Sequence, residues 1–353
     1  MDSQIWHDYC VAAPPQPPPI LTVKQWAALS DEDREVQLEK LEQWLGHVYM
    51  ETPELKAITR TMTRTVRANA YSPPGAKNIL ALSGRNLAGK STLAKRWARC
   101  IYLELIKDSL LDDRHRPVYR KAEGWELDYC PVVYINMASG AKMAAFDALI
   151  LSFFGLPTDG LARELTASAV RAIQRHRTKV LVVDDAHFIK TVCRDARDVF
   201  LDHIKKVNTE IGEVGATLML VGADLPDNAL AKDPQIAGRM KLRTLPEYGT
   251  VSAAEQCGWQ RIVLDLEDQV LPHLPRGKPG MLFTELAGEL WHRTQGYLGD
   301  LRELVCEATI LATEDQSYRI QRKHLNAVQL SVRAEVEEKN PKPKSDPKPK
   351  VKS

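Results

Sequence analysis

The stretch Gly84-Arg85-Asn86-Leu87-Ala88-Gly89-Lys90-Ser91 constrains the fold more than any other part of the chain. It spells G-x-x-x-x-G-K-S, a loop whose backbone N–H groups cradle phosphate. That chemistry needs a strand running into the loop and a helix running out of it. Both flanks supply it: Ile79-Leu80-Ala81-Leu82 is a short apolar run, and Thr92-Leu93-Ala94-Lys95-Arg96-Trp97-Ala98 is good helix material. The switch from strand to helix gathers unpaired amides and the positive end of a helix dipole around an anion. In this reading Gly84, Arg85, Asn86, Leu87, Ala88, Gly89, Lys90, Ser91 and Thr92 hold ATP. Lys90 reaches the terminal phosphates, and the Ser91 hydroxyl holds Mg²⁺.

A second motif agrees with the first. Val180-Leu181-Val182-Val183 reads as a buried central strand, and Asp184-Asp185-Ala186-His187 follows at its C-terminal end. Sheets of alternating strands and helices bind ligands at that end. Asp184 is the expected Mg²⁺ partner. Asp185 stands where an acid would polarise the attacking water. Glu is the commoner residue there, and the shorter side chain predicts slow hydrolysis. His187 is open to a structural or a catalytic reading.

The chain has 353 residues, enough for one large or two modest domains. An apolar share of 44% supports a real core, and a net charge of +2 confines any nucleic-acid site to a local patch. Six scattered cysteines without a CxxC pair match a reducing compartment. No apolar run is long enough to span a bilayer, so a cytoplasmic protein with no membrane contact is expected. His7 and Cys10 have a spacing too common to indicate zinc.

The predicted domains are a Pro-rich arm with short helices (1–52), an α/β domain (53–250), an all-helical lid (251–335) and a disordered basic tail (336–353). The arm carries Pro14-Pro15-Gln16-Pro17-Pro18-Pro19 and reads as mobile. Ser30 is an N-cap for a helix whose apolar face is Leu38, Leu41 and Leu45. A helix over Pro53–Ala70 puts Arg60, Arg64 and Arg67 at neighbouring positions. That stripe suits nucleic acid or an acidic partner, with a solvated face as the alternative. Strands are predicted at 78–83, 132–136, 179–184, 217–222 and 241–245, forming a five-stranded parallel sheet. Residues 107–129 read as an extended surface connection, and Ala141–Phe154 as an apolar helix after Ser139-Gly140. Helices follow at 253–271, 284–294, 300–312 and 322–333. The lysine-rich stretch Asn340–Ser353 can make salt-sensitive phosphate contacts without reading sequence.

Further residues narrow the class. Leu220-Val221-Gly222-Ala223-Asp224 ends the fourth predicted strand of the sheet. Asp233-Pro234-Gln235-Ile236-Ala237-Gly238-Arg239-Met240 follows, then Leu245-Pro246-Glu247-Tyr248. The helical part contains Thr294-Gln295-Gly296-Tyr297-Leu298-Gly299-Asp300-Leu301-Arg302-Glu303-Leu304. With the two phosphate-site motifs, these make the chain resemble the TniB/TnsC family of AAA+ ATPases that regulate DNA transposition, over about Pro53 to Arg333. The resemblance implies a P-loop NTPase of the AAA+ type and an ATP-dependent homo-oligomer on double-stranded DNA without sequence preference. It also implies recruitment of a transposase and a TniQ-type partner. It assigns Arg239 to a neighbouring subunit's nucleotide and puts Arg302 near a second sensor of the nucleotide. Ala223 and Asp224 stand where a polar sensor of the terminal phosphate is usual. The competing readings are an ATP-dependent signalling or defence switch that senses a protein without DNA, and an adaptor that binds ATP but scarcely hydrolyses it. A metabolite kinase leaves the helical lid without a role.

Overall fold

Five apolar runs of the sequence become one parallel sheet. The computed structural model describes residues 1–122, 125–138, 143–191 and 194–339. Eight strands are described: β1 (Ile79–Ser83), β2 (Leu110–Leu111), β3 (Pro117–Ala122), β4 (Trp125–Asp128), β5 (Val132–Asn136), β6 (Val180–Asp184), β7 (Thr217–Gly222) and β8 (Met240–Thr244). The main sheet has the order β5-β6-β7-β1-β8, with every neighbouring pair parallel. Strands β1, β6 and β7 are buried at every position, as expected where helices cover both faces of a parallel sheet. Strand β8, at the edge, alternates half-buried Met240 and Leu242 with exposed Lys241 and Arg243.

This order fixes where a ligand can sit. After β1 the chain crosses to the far edge at β5, returns through β6 and β7, and passes β1 again to form β8. The loop after β1 therefore emerges at the point where strand order reverses, the crevice that open parallel sheets use for ligands.

The chain forms two units: Met1–Ala12 with Pro53–Leu245, and Ala13–Thr52 with the chain from Pro246 onward. Residues 1–52 are thus not a separate arm. Helix Ser3–Val11 buries Trp6 and Cys10 in the first unit. In the second, helix Asp31–Leu45 and the residues after it contribute Leu41, Leu45, Val48 and Met50 to a core with Trp259, Leu266, Leu290 and Leu304. The Pro-rich segment belongs to the second unit, where Pro18 is buried and Trp26 packs on Tyr318 at 5.9 Å.

Two stretches differ from the sequence reading. Residues 107–129, read as an extended surface connection, hold an antiparallel sheet, β2-β3-β4. Its first turn is closed by Asp112, whose carboxylate accepts the amides of Arg114 and Arg116 at 2.9 and 2.7 Å. The predicted helix 322–333 is two helices, Arg322–Ala327 and Val332–Lys339. The break has two causes. The buried Arg293 guanidinium takes the carbonyls of Leu325 and Val328, and Ser331 caps the next helix by accepting the Ala334 amide. Residues up to Lys339 are therefore helical within the stretch read as tail. Asn340–Ser353 and Ser139-Gly140 lie outside the described residues.

The helices at Ala253–Val270, Ala287–Thr294 and Leu298–Glu314 match the sequence reading closely. Between the last two, Gly296 has φ of +78°, and a Cβ there would lie 2.0 Å from the Tyr248 carbonyl. Only glycine fits that approach. Among the described residues no helix is long and apolar enough to cross a membrane.

Candidate nucleotide site

The loop from Gly84 to Gly89 joins β1 to helix Lys90–Ile106. Gly84 is buried, and a Cβ on it would press on Leu245 at 3.2 Å. Leu87 and Gly89 both have left-handed backbones, with φ of +64° and +86°. Such φ is unfavourable for leucine and free for glycine. Gly89 is the N-cap of the helix and offers no side chain to its first amides. Those N–H groups thus await an external acceptor, and a phosphate meets that requirement.

Lys90 and Ser91 open the helix. The Lys90 ammonium donates to the Arg85 carbonyl at 2.6 Å, bridging the base of the loop. Burial lowers the Lys90 pKa, and the negative fields of Asp184, Asp185 and Asp224 act against that fall. These four residues thus form one electrostatic group at the C-terminal edge of the sheet. Ser91 is half-buried and Thr92 exposed.

Asp184, only 3% exposed, ends β6. Its Oδ1 accepts the Asp185 amide at 2.9 Å, and its Oδ2 accepts the Tyr134 hydroxyl at 2.6 Å. Each oxygen keeps lone-pair capacity for a cation. Asp185 has φ of +58°, so the chain turns sharply there, and its side chain is 47% exposed. The two carboxylates are therefore unequal: one is fixed inside the sheet edge and one is open to water. The His187 Nδ1 lies 3.8 Å from the Asp185 Oδ1, beyond hydrogen-bond reach.

The donor set fits the chemistry of Mg²⁺ bound with ATP. Hard oxygen ligands from one hydroxyl and one carboxylate, with phosphate and water completing the shell, are what Mg²⁺ takes. The predicted first-sensor position is occupied by the buried Ala223 and by Asp224, whose φ is +48°. The charge of Asp224 is felt by Lys90, after those of Asp184 and Asp185. Ser83, at the end of β1, accepts the Leu225 amide through its hydroxyl at 3.1 Å and ties the end of β7 to the loop.

Arg239 is not brought to this group. It ends the helix Pro234–Arg239, which Asp233 caps by accepting the Gln235 and Ile236 amides. The next residue, Met240, pairs with Ile79 at the start of β1, whereas the phosphate loop leaves from Ser83 at its end. Along a strand rising about 3.3 Å per residue, Arg239 thus sits at the N-terminal end of the strands, and the phosphate loop leaves from their C-terminal end. Its guanidinium donates to the Gln235 carbonyl at 3.3 Å, and it makes no ion pair among the described residues. Arg302 belongs to the second unit, where its guanidinium donates to the Gly46 carbonyl at 3.0 Å and caps helix Asp31–Leu45. Of the basic stripe, Arg60 and Arg64 are exposed, while Arg67 pairs with Glu104 at 2.9 Å.

Sequence reasoning missed Tyr134 and Ser83. A signal for Tyr134 was present: one phenol in an otherwise aliphatic strand, Val132-Val133-Tyr134-Ile135. A buried tyrosine needs an acceptor for its O–H. Burial and the Asp184 charge push that phenol far above its ordinary pKa, so it stays a donor.

Comparison with known proteins gives the same frame. A family model described as "Bacterial TniB protein" matches residues 47–250. Among solved structures, Cdc6p from Pyrobaculum aerophilum superposes with a TM-score of 0.51 at 17% identity, covering 79% of this chain and 68% of that one. The structure of Drosophila ORC bound to DNA gives 0.52 at 13% identity, over 92% and 72% of the two chains. At these identities the likeness is one of fold: a five-stranded parallel sheet followed by a helical region. No curated protein sequence compared with the chain matches it.

Proposed function

The chain belongs to the TniB family, and from that footing we propose that it is an ATP-hydrolysing AAA+ regulator of DNA transposition that assembles on double-stranded DNA. One observation carries the reading: an uncapped helix N-terminus, a lysine and three carboxylates converge at the reversal point of the sheet. Such a group suits a nucleoside triphosphate. In this reading the residues from Gly84 to Thr92 wrap the phosphates, with Lys90 supplying the counter-charge. Ser91 and Asp184 would hold Mg²⁺, which neutralises charge on the phosphates when bound. Asp185, open to solvent, orients water.

The position of Arg239 supports a shared site. Its own loop is at the other end of the neighbouring strand β1, so the nucleotide it serves is a neighbouring subunit's, and hydrolysis depends on assembly. A planar guanidinium suits charge on a transferred phosphoryl group. ATP binding then builds a homo-oligomer and hydrolysis resets it.

DNA contact follows from the same logic. With a net charge of +2, one subunit offers few phosphate contacts. Exposed Arg60 and Arg64, with the lysines of 340–353, repeat along an oligomer, and avidity raises affinity. Phosphate contacts position without reading bases, so target choice falls to partners, a transposase and a TniQ-type protein. The test is a gel shift on unrelated duplexes with and without ATP, across salt. Binding that needs ATP, falls with salt and ignores sequence is expected. No binding to any duplex at low salt with ATP would turn the reading toward a switch that senses protein without DNA.

A further inference from the structure

The first unit contains an aromatic chain that runs from the N-terminal helix to the candidate magnesium carboxylate. Register pairs Tyr134 of β5 with Val182 of β6. Tyr134 therefore shares a face with Val182 and, two residues on, with Asp184. A phenol is long enough to reach that diagonal neighbour, and its O–H donates to the Asp184 Oδ2 at 2.6 Å. On the ring side, Trp6 stacks on Tyr134 with centroids 5.4 Å apart and planes 23° apart. The Lys95 ammonium lies 5.7 Å from the same ring. Trp6 and Tyr134 are both 0% exposed.

Trp6 is itself anchored to the helix that opens with Lys90 and Ser91. Arg99 of that helix donates to the carbonyls of Cys10 and Ala12 at 2.8 Å each, capping helix Ser3–Val11. His7 and the Tyr102 hydroxyl share a further bond of 2.8 Å. The Trp6 indole N–H is buried with no hydrogen-bond partner among the described residues. An unpaired buried donor is unfavourable, so the contribution of Trp6 lies in its ring.

A carboxylate turns easily about its last torsion, which is broad and two-fold. The Asp184 carboxylate is fixed because each oxygen accepts one bond, from the Asp185 amide and the Tyr134 hydroxyl. Without the phenol, one oxygen is released and the plane is no longer defined. We propose that Tyr134 is a positioning residue that orients Asp184 for the divalent cation, and that Trp6 holds Tyr134 in place through ring stacking. The proposal rests on the nucleotide reading of the site and adds to it a dependence on the N-terminal helix.

The test uses the full chain with ATP and Mn²⁺ as the metal probe, read by electron paramagnetic resonance. Tyr134→Phe keeps the ring and removes the hydroxyl. Loss of such an outer partner weakens metal binding about tenfold or more, and that loss is expected here. Affinity for a fluorescent ATP analogue in EDTA should not change. Trp6→Ala should show the same metal defect, Trp6→Phe should restore wild-type affinity, and the double variant Trp6→Ala/Tyr134→Phe should be no weaker than Tyr134→Phe. If Trp6→Ala does not fold, Trp6→Leu fills the space without an aromatic face and carries the same expectation. Wild-type Mn²⁺ affinity in Tyr134→Phe overturns the role of Tyr134, and wild-type affinity in folded Trp6→Ala or Trp6→Leu overturns that of Trp6. If the wild-type chain binds no Mn²⁺ with ATP, the nucleotide reading fails and takes the proposal with it.

Discussion

Lys90 concentrates the charge logic of the site, since burial disfavours its ammonium and three carboxylates favour it. Lys90→Ala removes a charged contact to phosphate, and hydrogen bonds to charged groups contribute about 1.5–3 kcal/mol. ATP affinity should fall about 10- to 100-fold by equilibrium titration, while the thermal unfolding midpoint stays close to wild type. Asp184 and Asp185 should separate in the same assay. Asp184→Asn should weaken Mg²⁺-dependent binding, whereas Asp185→Asn should keep ATP bound and lose turnover, measured as retained radiolabelled ATP. Arg239→Ala protein and Lys90→Ala protein, each inactive alone, should regain some ATPase when mixed; a wild-type-like Arg239→Ala would remove Arg239 from the shared site. The phosphate loop and both carboxylates were readable because their chemistry demands fixed residue types at fixed spacing. Tyr134 was not, since its bond to Asp184 arises from pairing between strands far apart in sequence. The bond from Arg302 to Gly46 has the same origin, joining residues that only the folded second unit brings together.

The strands of the main sheet were legible as apolar runs because burial on both faces leaves no place for polar residues. Strands β2 to β4 were not, because a small exposed sheet carries a mixed sequence: Val118 is buried, while Leu110, Leu111 and Trp125 are exposed. Helix Ser3–Val11 was equally hidden, since its burial depends on Trp6, His7 and Cys10 meeting a surface formed elsewhere. It also carries a pH dependence. Burial lowers the His7 pKa below its ordinary 6.5, and the nearby Asp8 carboxylate partly opposes this. A lowered folded value means that the unfolded chain binds the proton first. The contribution to stability is therefore present above about pH 6.5 and is lost as pH falls through the lowered value. The unfolding midpoint should drop between about pH 7.5 and pH 5.5, and His7→Gln should flatten that drop. An unchanged slope in His7→Gln would assign the dependence to other histidines, such as half-buried His176 and buried His273, whose values are also lowered by desolvation.

For the whole molecule, DNA affinity should track assembly rather than any single patch. Arg60→Glu with Arg64→Glu should weaken ATP-dependent binding and flatten its salt slope, by about 0.9 in log–log terms for each phosphate no longer neutralised per bound unit. Deleting Asn340–Ser353 should weaken binding modestly and leave the ATP requirement intact. The predicted order of domains treated the chain as a string of consecutive pieces, whereas the second unit is assembled from two distant ones. That division has a consequence for the protein's birth. Leu41, Leu45, Val48 and Met50 leave the ribosome early, but their partners Trp259, Leu266 and Leu290 follow about two hundred residues later. At about 5–20 residues per second, the early segment is without its core for roughly 10–40 s. During that interval its leucines are exposed to chaperones, to neighbouring nascent chains and to proteases.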